Sequence, residues 1–302
     1  MQKLLSQLSG QATIPADGSE FTEWEGPNSN LEAVLDFRNQ RLKIYGARSD
    51  DFEQCVQLRE LLTAKADPSV VTKVTIYGRP EGPKPYGWQR RGFTYEGHIP
   101  GFHEDGSDAW MWAFYLAVDR GTEERTGEHD HIVAVASAKP PIRPKLPLGY
   151  SSREAEPEDA KIITTLMHAC FSEYPFPIDE ERIANDIREK ATHFRIVFDA
   201  QDQPVATASA ELDHVRHSCE LTDCATLSSQ RGKGLMTLLL NELEEDVRKR
   251  FGMNCFYTLA RADEPGINAA FAKLGYEYTG RLVNNCRMPN GWECMNIWGK
   301  RV

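Results

Sequence analysis

The spacing of apolar residues changes several times along the chain, and each change predicts an element. Phe52, Val56, Leu58, Leu61 and Leu62 lie mostly at helical spacing behind Asp50 and Asp51, which can cap a helix. On either side, Arg41 to Tyr45 and Val71 to Tyr77 alternate as strands do. Residues 1 to about 40 are rich in Gly, Ser, Asn and acidic residues, and predict an extended or loosely held arm. Pro140, Pro141, Pro144 and Pro147 remove backbone donors and favour extended geometry, so residues 139–147 read as a stiff linker between a domain at 41–138 and one at 148–302.

The second domain begins with a strand near 148–154, followed by helices from Glu158 to Phe171 and Asp179 to Lys190. Strands follow at Phe194 to Phe198, 204–213 and 216–227. A long helix at 234–250 places Leu235, Leu238, Leu239, Leu243 and Val247 on one face, with Glu244/Arg248 and Glu245/Lys249 as i,i+4 pairs elsewhere on it. A strand at 254–260, a short helix at 266–273 and strands at 276–284 and 292–299 complete the pattern. This mixture indicates an α/β (α+β) domain with a largely antiparallel sheet. The two halves also share an echo. Gly92-Phe93-Thr94-Tyr95-Glu96-Gly97-His98-Ile99 parallels Gly275-Tyr276-Glu277-Tyr278-Thr279-Gly280-Arg281-Leu282, which favours a degenerate duplication over shared hairpin chemistry.

Composition narrows the class. With 302 residues the chain has room for about two domains, and 40% hydrophobic with 26% charged residues is ordinary for a globular protein. No apolar run approaches the ~20 residues of a membrane span, and the first residues lack an apolar signal core, so the expected address is cytoplasmic, away from membranes. Seven cysteines without a C-x-x-C pair argue against a disulfide framework or a zinc knuckle. A formal charge of -10 disfavours nucleic acid and suits a small cationic substrate. His214, His217 and Cys219 alternate about a hairpin, so no metal is expected there, and His129-Asp130-His131 reads as a solvated loop.

The strongest chemical signal is Ser228-Ser229-Gln230-Arg231-Gly232-Lys233-Gly234-Leu235, which joins a strand to the long helix. A glycine-rich turn exposes amide N–H groups at the positive end of a helix and lets phosphate approach closely. It is neither a Walker loop nor a dinucleotide fingerprint. Strand, Arg-Gly-x-Gly, helix, strand, then Asn268-x-x-Phe271-x-Lys273-Leu274-Gly275-Tyr276 resembles the GCN5-related N-acetyltransferase (GNAT) superfamily over residues 148–302.

More specific segments are similar to the beta-lysine N-acetyltransferase family over about 41–302. They are Phe171-x-x-Tyr174-Pro175-Phe176-Pro177-Ile178, Leu221-Thr222-Asp223-Cys224-Ala225-Thr226-Leu227, Thr258-Leu259-Ala260-Arg261-Ala262 and Gly280-Arg281-Leu282-Val283-Asn284-Asn285-Cys286. Gly92-Phe93-x-x-Glu96-Gly97-x-Ile99-x-Gly101-Phe102 adds a match in the first domain. The resemblance implies a GNAT fold preceded by a degenerate partial copy, and acetyl-CoA as co-substrate. It also implies transfer to the side-chain amine of beta-lysine, giving the compatible solute N6-acetyl-beta-lysine.

It further implies that the amides of Gln230, Arg231, Gly232, Lys233 and Gly234, with Leu235, hold the pyrophosphate. Pantetheine would lie beside Ala225 and Leu227, between strands 220–227 and 254–260, with Asn268 and Phe271 touching the cofactor. Two positions depart from the superfamily pattern: Ser229 stands where Gln or Arg is usual, and Phe271 where a tyrosine acid is common.

An alkyl ammonium with a pKa near 10.4 must lose a proton before it attacks a thioester. Alternation puts Leu221, Asp223, Ala225 and Leu227 on one strand face and Glu220, Thr222, Cys224 and Thr226 on the other. Glu220 and Asp223 are both candidate bases, against the alternative that either only pairs with a cation. Glu173, Tyr174, Glu211, Arg261, Asn284 and Asn285 are candidate substrate contacts: carboxylates for an ammonium, Arg and amides for a carboxylate. Competing readings are transfer to another small amine or a peptide N-terminus, and a non-catalytic acyl-CoA sensor.

Overall fold

The computed structural model describes residues 19–25, 30–48, 51–80, 85–172, 174, 177–288 and 291–301. The chain divides into two compact units. One comprises Met1–Ile99, Ser107–Glu124 and Gly280–Met295; the other comprises Pro100–Gly106, Arg125–Thr279 and Asn296–Val302.

The first unit contains β1 (Ser19–Glu25), β2 (Asn30–Asp36), β3 (Arg41–Ala47), α1 (Phe52–Lys65), β4 (Lys73–Gly78), α2 (Pro85–Arg90), β5 (Thr94–Ile99) and β6 (Ala109–Tyr115). Its strands run β1-β2-β3-β4-β6-β5, with β3 and β4 parallel and the other neighbours antiparallel. Helix α1 buries Cys55, Val56, Leu58 and Leu62, which pack with Leu42, Ile44, Val74 and Ile76 of the sheet. Where an arm was expected, β2 is an integral strand that buries Leu31, Ala33 and Leu35. Alternate burial in Asn30–Asp36 pairs these apolar side chains with the core even though the surrounding sequence is polar. Residues 1–18 and 26–29 of that arm lie outside the described residues.

The second unit contains α3 (Thr126–Ser137), β7 (Ser151–Glu154), α4 (Ala160–Cys170), α5 (Glu180–Arg188), β8 (Thr192–Phe198), β9 (Pro204–Asp213), β10 (Ser218–Thr226), α6 (Leu235–Phe251), β11 (Cys255–Arg261) and α7 (Pro265–Lys273). The hairpin β12 (Glu277–Met288) and β13 (Gly291–Arg301) follows, and the division between units passes through both of its strands. Strand order here is β7-β8-β9-β10-β11-β13. Alternation along β8 and β9 separates two cores. Val197, Ala206, Ala208 and Ala210 pack with Leu239, Leu243 and Val247 of α6 and Phe271 of α7, while Phe194, Ile196 and Phe198 pack with Ile163, Leu166 and Ile183 of α4 and α5.

Two expectations change in this unit. The division falls after Glu124 rather than at 139–147, because Ala136 of α3 is buried in the same core as Ala270 and Ala272 of α7. The proline stretch that follows has neither helix nor strand, and Ile142 N donates to Lys273 O at 2.9 Å, so it runs along the second unit. His129-Asp130-His131 lies within α3 and not in a solvated loop, with His129 buried by helical periodicity.

Within the first unit, Gly97 of β5 pairs with Gly280 of β12, so the two echoed glycines meet each other. A Cβ on Gly280, whose φ is 152°, would lie 2.2 Å from Glu96 O. The echo extends to element order: strand, helix, parallel strand, short helix and hairpin occur as β3-α1-β4-α2-β5-β6 and again as β10-α6-β11-α7-β12-β13.

Candidate active site

Strand β10 organises the site in the second unit. It pairs in parallel with β11 at Ser218↔Cys255, Cys219↔Phe256 and Glu220↔Tyr257, and no further among the described residues. Its antiparallel pairing with β9 continues to Thr226↔Ala206, interrupted between Thr222↔Ser209 and Ala225↔Thr207. Asp223 and Cys224 thus oppose the single residue Ala208, which is a β-bulge, and Asp223 is left-handed at φ 50°. The bulge corrects the expected alternation: Leu221 is buried with α6 and α7, whereas Ala225 is buried with α4 and α5. One extra residue inverts every side chain beyond it.

On the face toward α4 and α5 the Asp223 carboxylate accepts hydrogen bonds from the Tyr174 hydroxyl (2.8 Å) and Ser209 Oγ (2.7 Å). Burial raises its pKa above the ordinary carboxylate value, opposed by these two donors and by the charge of Arg182. Burial beside Asp223 likewise pushes the Tyr174 phenol well above its ordinary pKa. Glu220, half-buried, lies directly opposite Glu211 on β9 and Tyr257 on β11.

Beyond β10, a single 3-10 turn at Ser228–Gln230 leads to Gly232 (φ 81°) and to Gly234 (φ 78°), the N-cap of α6. Both glycines are left-handed, and nothing lies within 4 Å of the position a Cβ would take on either. Among the described residues the amide N–H groups of Gly232, Lys233, Gly234 and Leu235 have no protein acceptor. No acidic side chain stands in the first turn of this 17-residue helix, so its positive end is uncompensated. Lys233 Nζ donates to Gln230 Oε1 (2.6 Å) and to the Tyr150 hydroxyl (2.8 Å), which itself donates to Gln230 Oε1 (2.8 Å). The Arg231 side chain is exposed, with Nε 3.4 Å from Thr226 O. Open amides, open space and two cations have the chemistry to hold a diphosphate such as that of coenzyme A.

Other expected contacts are placed elsewhere. Asn268 is fully buried; its Nδ2 donates to Arg261 O and Glu264 O, and its Oδ1 accepts from Asn296 Nδ2 and Trp298 Nε1. Phe271 is also fully buried, edge-on to Tyr276. Both side chains are spent inside the protein, where they hold α7 against the sheet. Arg261 forms ion pairs with Asp263 (3.7 Å) and Glu264 (3.4 Å), and Glu211 is exposed.

Asn284 and Asn285 belong to the first unit, where Asn284 Nδ2 donates to Asp119 O and Thr122 O and Asn285 is fully buried. The Asn284 amide is spent within that unit, whereas Asn285 Oδ1 is buried without a hydrogen-bond partner. Glu173 lies outside the described residues. Two members of the site were missed by sequence reasoning. Ser209 was marked only by the polar alternation Thr207, Ser209, Glu211; Tyr150 had no local signal, since its partner Gln230 is 80 residues away.

Residues 160–276 match the Acetyltransferase (GNAT) family. A beta-lysine N(6)-acetyltransferase of Methanosarcina mazei is 44% identical over 155 residues, covering 51% of this chain and 56% of its own length. The chain thus spans little more than half of that relative. N-acetyltransferase YodP of Bacillus subtilis is 29% identical over 275 residues, covering 91% of this chain and 98% of its own. Among solved structures, spermidine N-acetyltransferase from Vibrio cholerae in complex with CoA and spermine is similar at 18% identity, 51% coverage of this chain and 95% of that one, with a TM-score of 0.44. The family match lies over the bulged strand, the open glycine turn and the helices that frame them, so residues 160–276 form an acetyltransferase domain of the GNAT family, and the chain is similar to beta-lysine N-acetyltransferases.

Proposed function

We propose that the protein transfers the acetyl group of acetyl-CoA to the terminal side-chain amine of beta-lysine, giving N6-acetyl-beta-lysine for osmotic protection. The observation that carries this reading is the run of unpaired amides from Gly232 to Leu235, in the turn that joins β10 to α6. The names of the relatives supply the acceptor. Acetyl-CoA brings the activated acyl group, and free CoA leaves as the thiol. The chain's own residues hold the diphosphate on the α6 amides, with Arg231 and Lys233 adding positive charge at the turn.

Either Glu220 or Asp223 takes the proton that the substrate ammonium must lose, and Glu211 opposite Glu220 favours a cationic acceptor. Seven free thiols accord with a reducing, cytoplasmic site of action.

Mass spectrometry of the products from acetyl-CoA with beta-lysine, lysine and spermidine tests the proposal. Beta-lysine should show the highest kcat/KM, because lysine misplaces one charged contact and spermidine lacks the carboxylate. Equal efficiency for spermidine would defeat the acceptor assignment and leave acetyl transfer standing.

A further inference from the structure

Both oxygens of the Asp223 carboxylate are engaged within the protein, Oδ2 by Ser209 Oγ and Oδ1 by the Tyr174 hydroxyl. These donors come from β9 and from the segment after α4, so three separate pieces of chain converge on one bulged residue. Left-handed backbone is costly for most L-residues and cheapest, after glycine, for Asn and Asp. A bulge also bends its strand and increases the local twist. Here the bend falls just after Glu220↔Tyr257, the last parallel pair, while pairing with β9 resumes beyond it. The bulge thus lies in the stretch of β10 that is paired with β9 and no longer with β11. Among the charged groups of α5, Arg182 favours the ionised form of Asp223 and is itself 3.6 Å from Asp186.

We infer that Asp223 is a positioning residue and not the base: with Ser209 and Tyr174 it locks the β10 bulge, which holds open the gap for the thioester arm and leaves Glu220 to accept the substrate proton. This rests on the acyl-CoA reading of the glycine turn. Glu220 precedes the bulge, and its register places it on the same strand face as Thr222 and beside Glu211. The substrate ammonium losing a proton to the Glu220 carboxylate leaves a neutral amine nucleophile and a carboxylic acid, so the step balances without another reactant.

Substitutions at Asp223 separate the two roles. Asp223→Asn retains tolerance of the left-handed backbone and one oxygen that can accept from a hydroxyl, while it removes the charge and turns the other oxygen into an amide donor that a hydroxyl can accept by rotating. Asp223→Ala removes both acceptors and that tolerance. Asp223→Asn should lose less than about tenfold in kcat/KM and keep the acid limb of its pH profile. Asp223→Ala should weaken CoA binding by about tenfold or more in calorimetry and speed hydrogen exchange at residues 221–226, with Tyr174→Phe between the two.

Glu220→Gln should lose about 100-fold in kcat and the acid limb. Loss of that limb in Asp223→Asn but not in Glu220→Gln would make Asp223 the base and overturn the inference. So would an Asp223→Ala protein that binds CoA and exchanges like the wild type. If the wild-type protein acetylates no amine, the proposed function fails, and the calorimetry and exchange of Asp223→Ala still decide whether the lock exists.

Discussion

Strands β3 and β4 pair in parallel from Arg41↔Lys73 to Ala47↔Gly78, whereas β10 and β11 share three pairs and then part. Each pair is joined by a helix, but the helices begin differently. Buried Asp51 precedes α1 and Glu53 lies in its first turn, so its positive end already faces carboxylates; α6 begins at a bare left-handed glycine with no acid in its first turn. The first copy pairs part of its buried polar core internally, while Thr75 Oγ1, Glu96 Oε2 and Arg120 Nε are buried without a hydrogen-bond partner. Its buried Lys73 donates to Glu96 Oε1 at 2.9 Å and to Val283 O at 2.8 Å, and Tyr115 donates to the same Glu96 oxygen at 2.6 Å. The second leaves the solvent-exposed amides of Gly232, Lys233 and Gly234 without a protein acceptor. One architecture thus occurs once with a fully zipped parallel pair and once with a pair that parts after three residues.

The largest effect expected from this contrast is on cofactor binding. Gly234→Glu adds a side chain and a negative charge at the α6 N-cap and should abolish CoA binding in calorimetry, at least ~100-fold. The wild-type chain should bind one CoA, and a second equivalent assigned to the α1 turn would break the comparison. Next, Glu220→Gln should lower turnover by about 10², with the deficit shrinking at high pH as free amine becomes available. A pH-independent deficit would mean that Glu220 does not carry the proton.

A smaller effect concerns the crossing of the echoed strands. Gly280→Ala should destabilise by at least about 2 kcal/mol, read from denaturant melts, because its Cβ would meet Glu96 O at 2.2 Å and backbone cannot swing aside. Unchanged stability would show that the two glycines do not approach so closely.

The smallest effect is a pH dependence. Burial pulls the Lys73 ammonium down to about 8, against the favourable charge of Glu96. In the unfolded chain the group holds its proton to about 10.4. Between about pH 8 and 10 the unfolded state therefore binds more protons, and this group's contribution to stability rises with pH by no more than about 1.4 kcal/mol per unit. Lys73→Met should lack that rise; parallel stability curves for variant and wild type across the interval would contradict it.

Much of this was legible along the chain. The period of apolar residues marks α1, α4, α5 and α6 because a helix must bury one face of its own sequence. The glycine turn announces itself, since Gly232 and Gly234 are local requirements of left-handed backbone. The echo of Gly97 in Gly280 predicted a repeat, and the pairing of those two residues gives it a physical form.

What tertiary structure alone decided concerns polar groups whose partners are distant in sequence. Asn268 had the spacing of a cofactor contact, but Asn296, 28 residues on, and Trp298, 30 residues on, occupy its carbonyl oxygen. Asn284 was read as a substrate donor, yet it donates to carbonyls 162 and 165 residues away. Asp223 stood on a strand whose alternation could be counted, but the bulge that reverses it comes from the pairing of β10 with β9. Periodicity and glycine placement are properties of a short stretch of chain, so sequence determined the elements and the turn. Whether a side chain is spent inside the protein or left for a ligand depends on which distant groups reach it, and only the folded chain decides that.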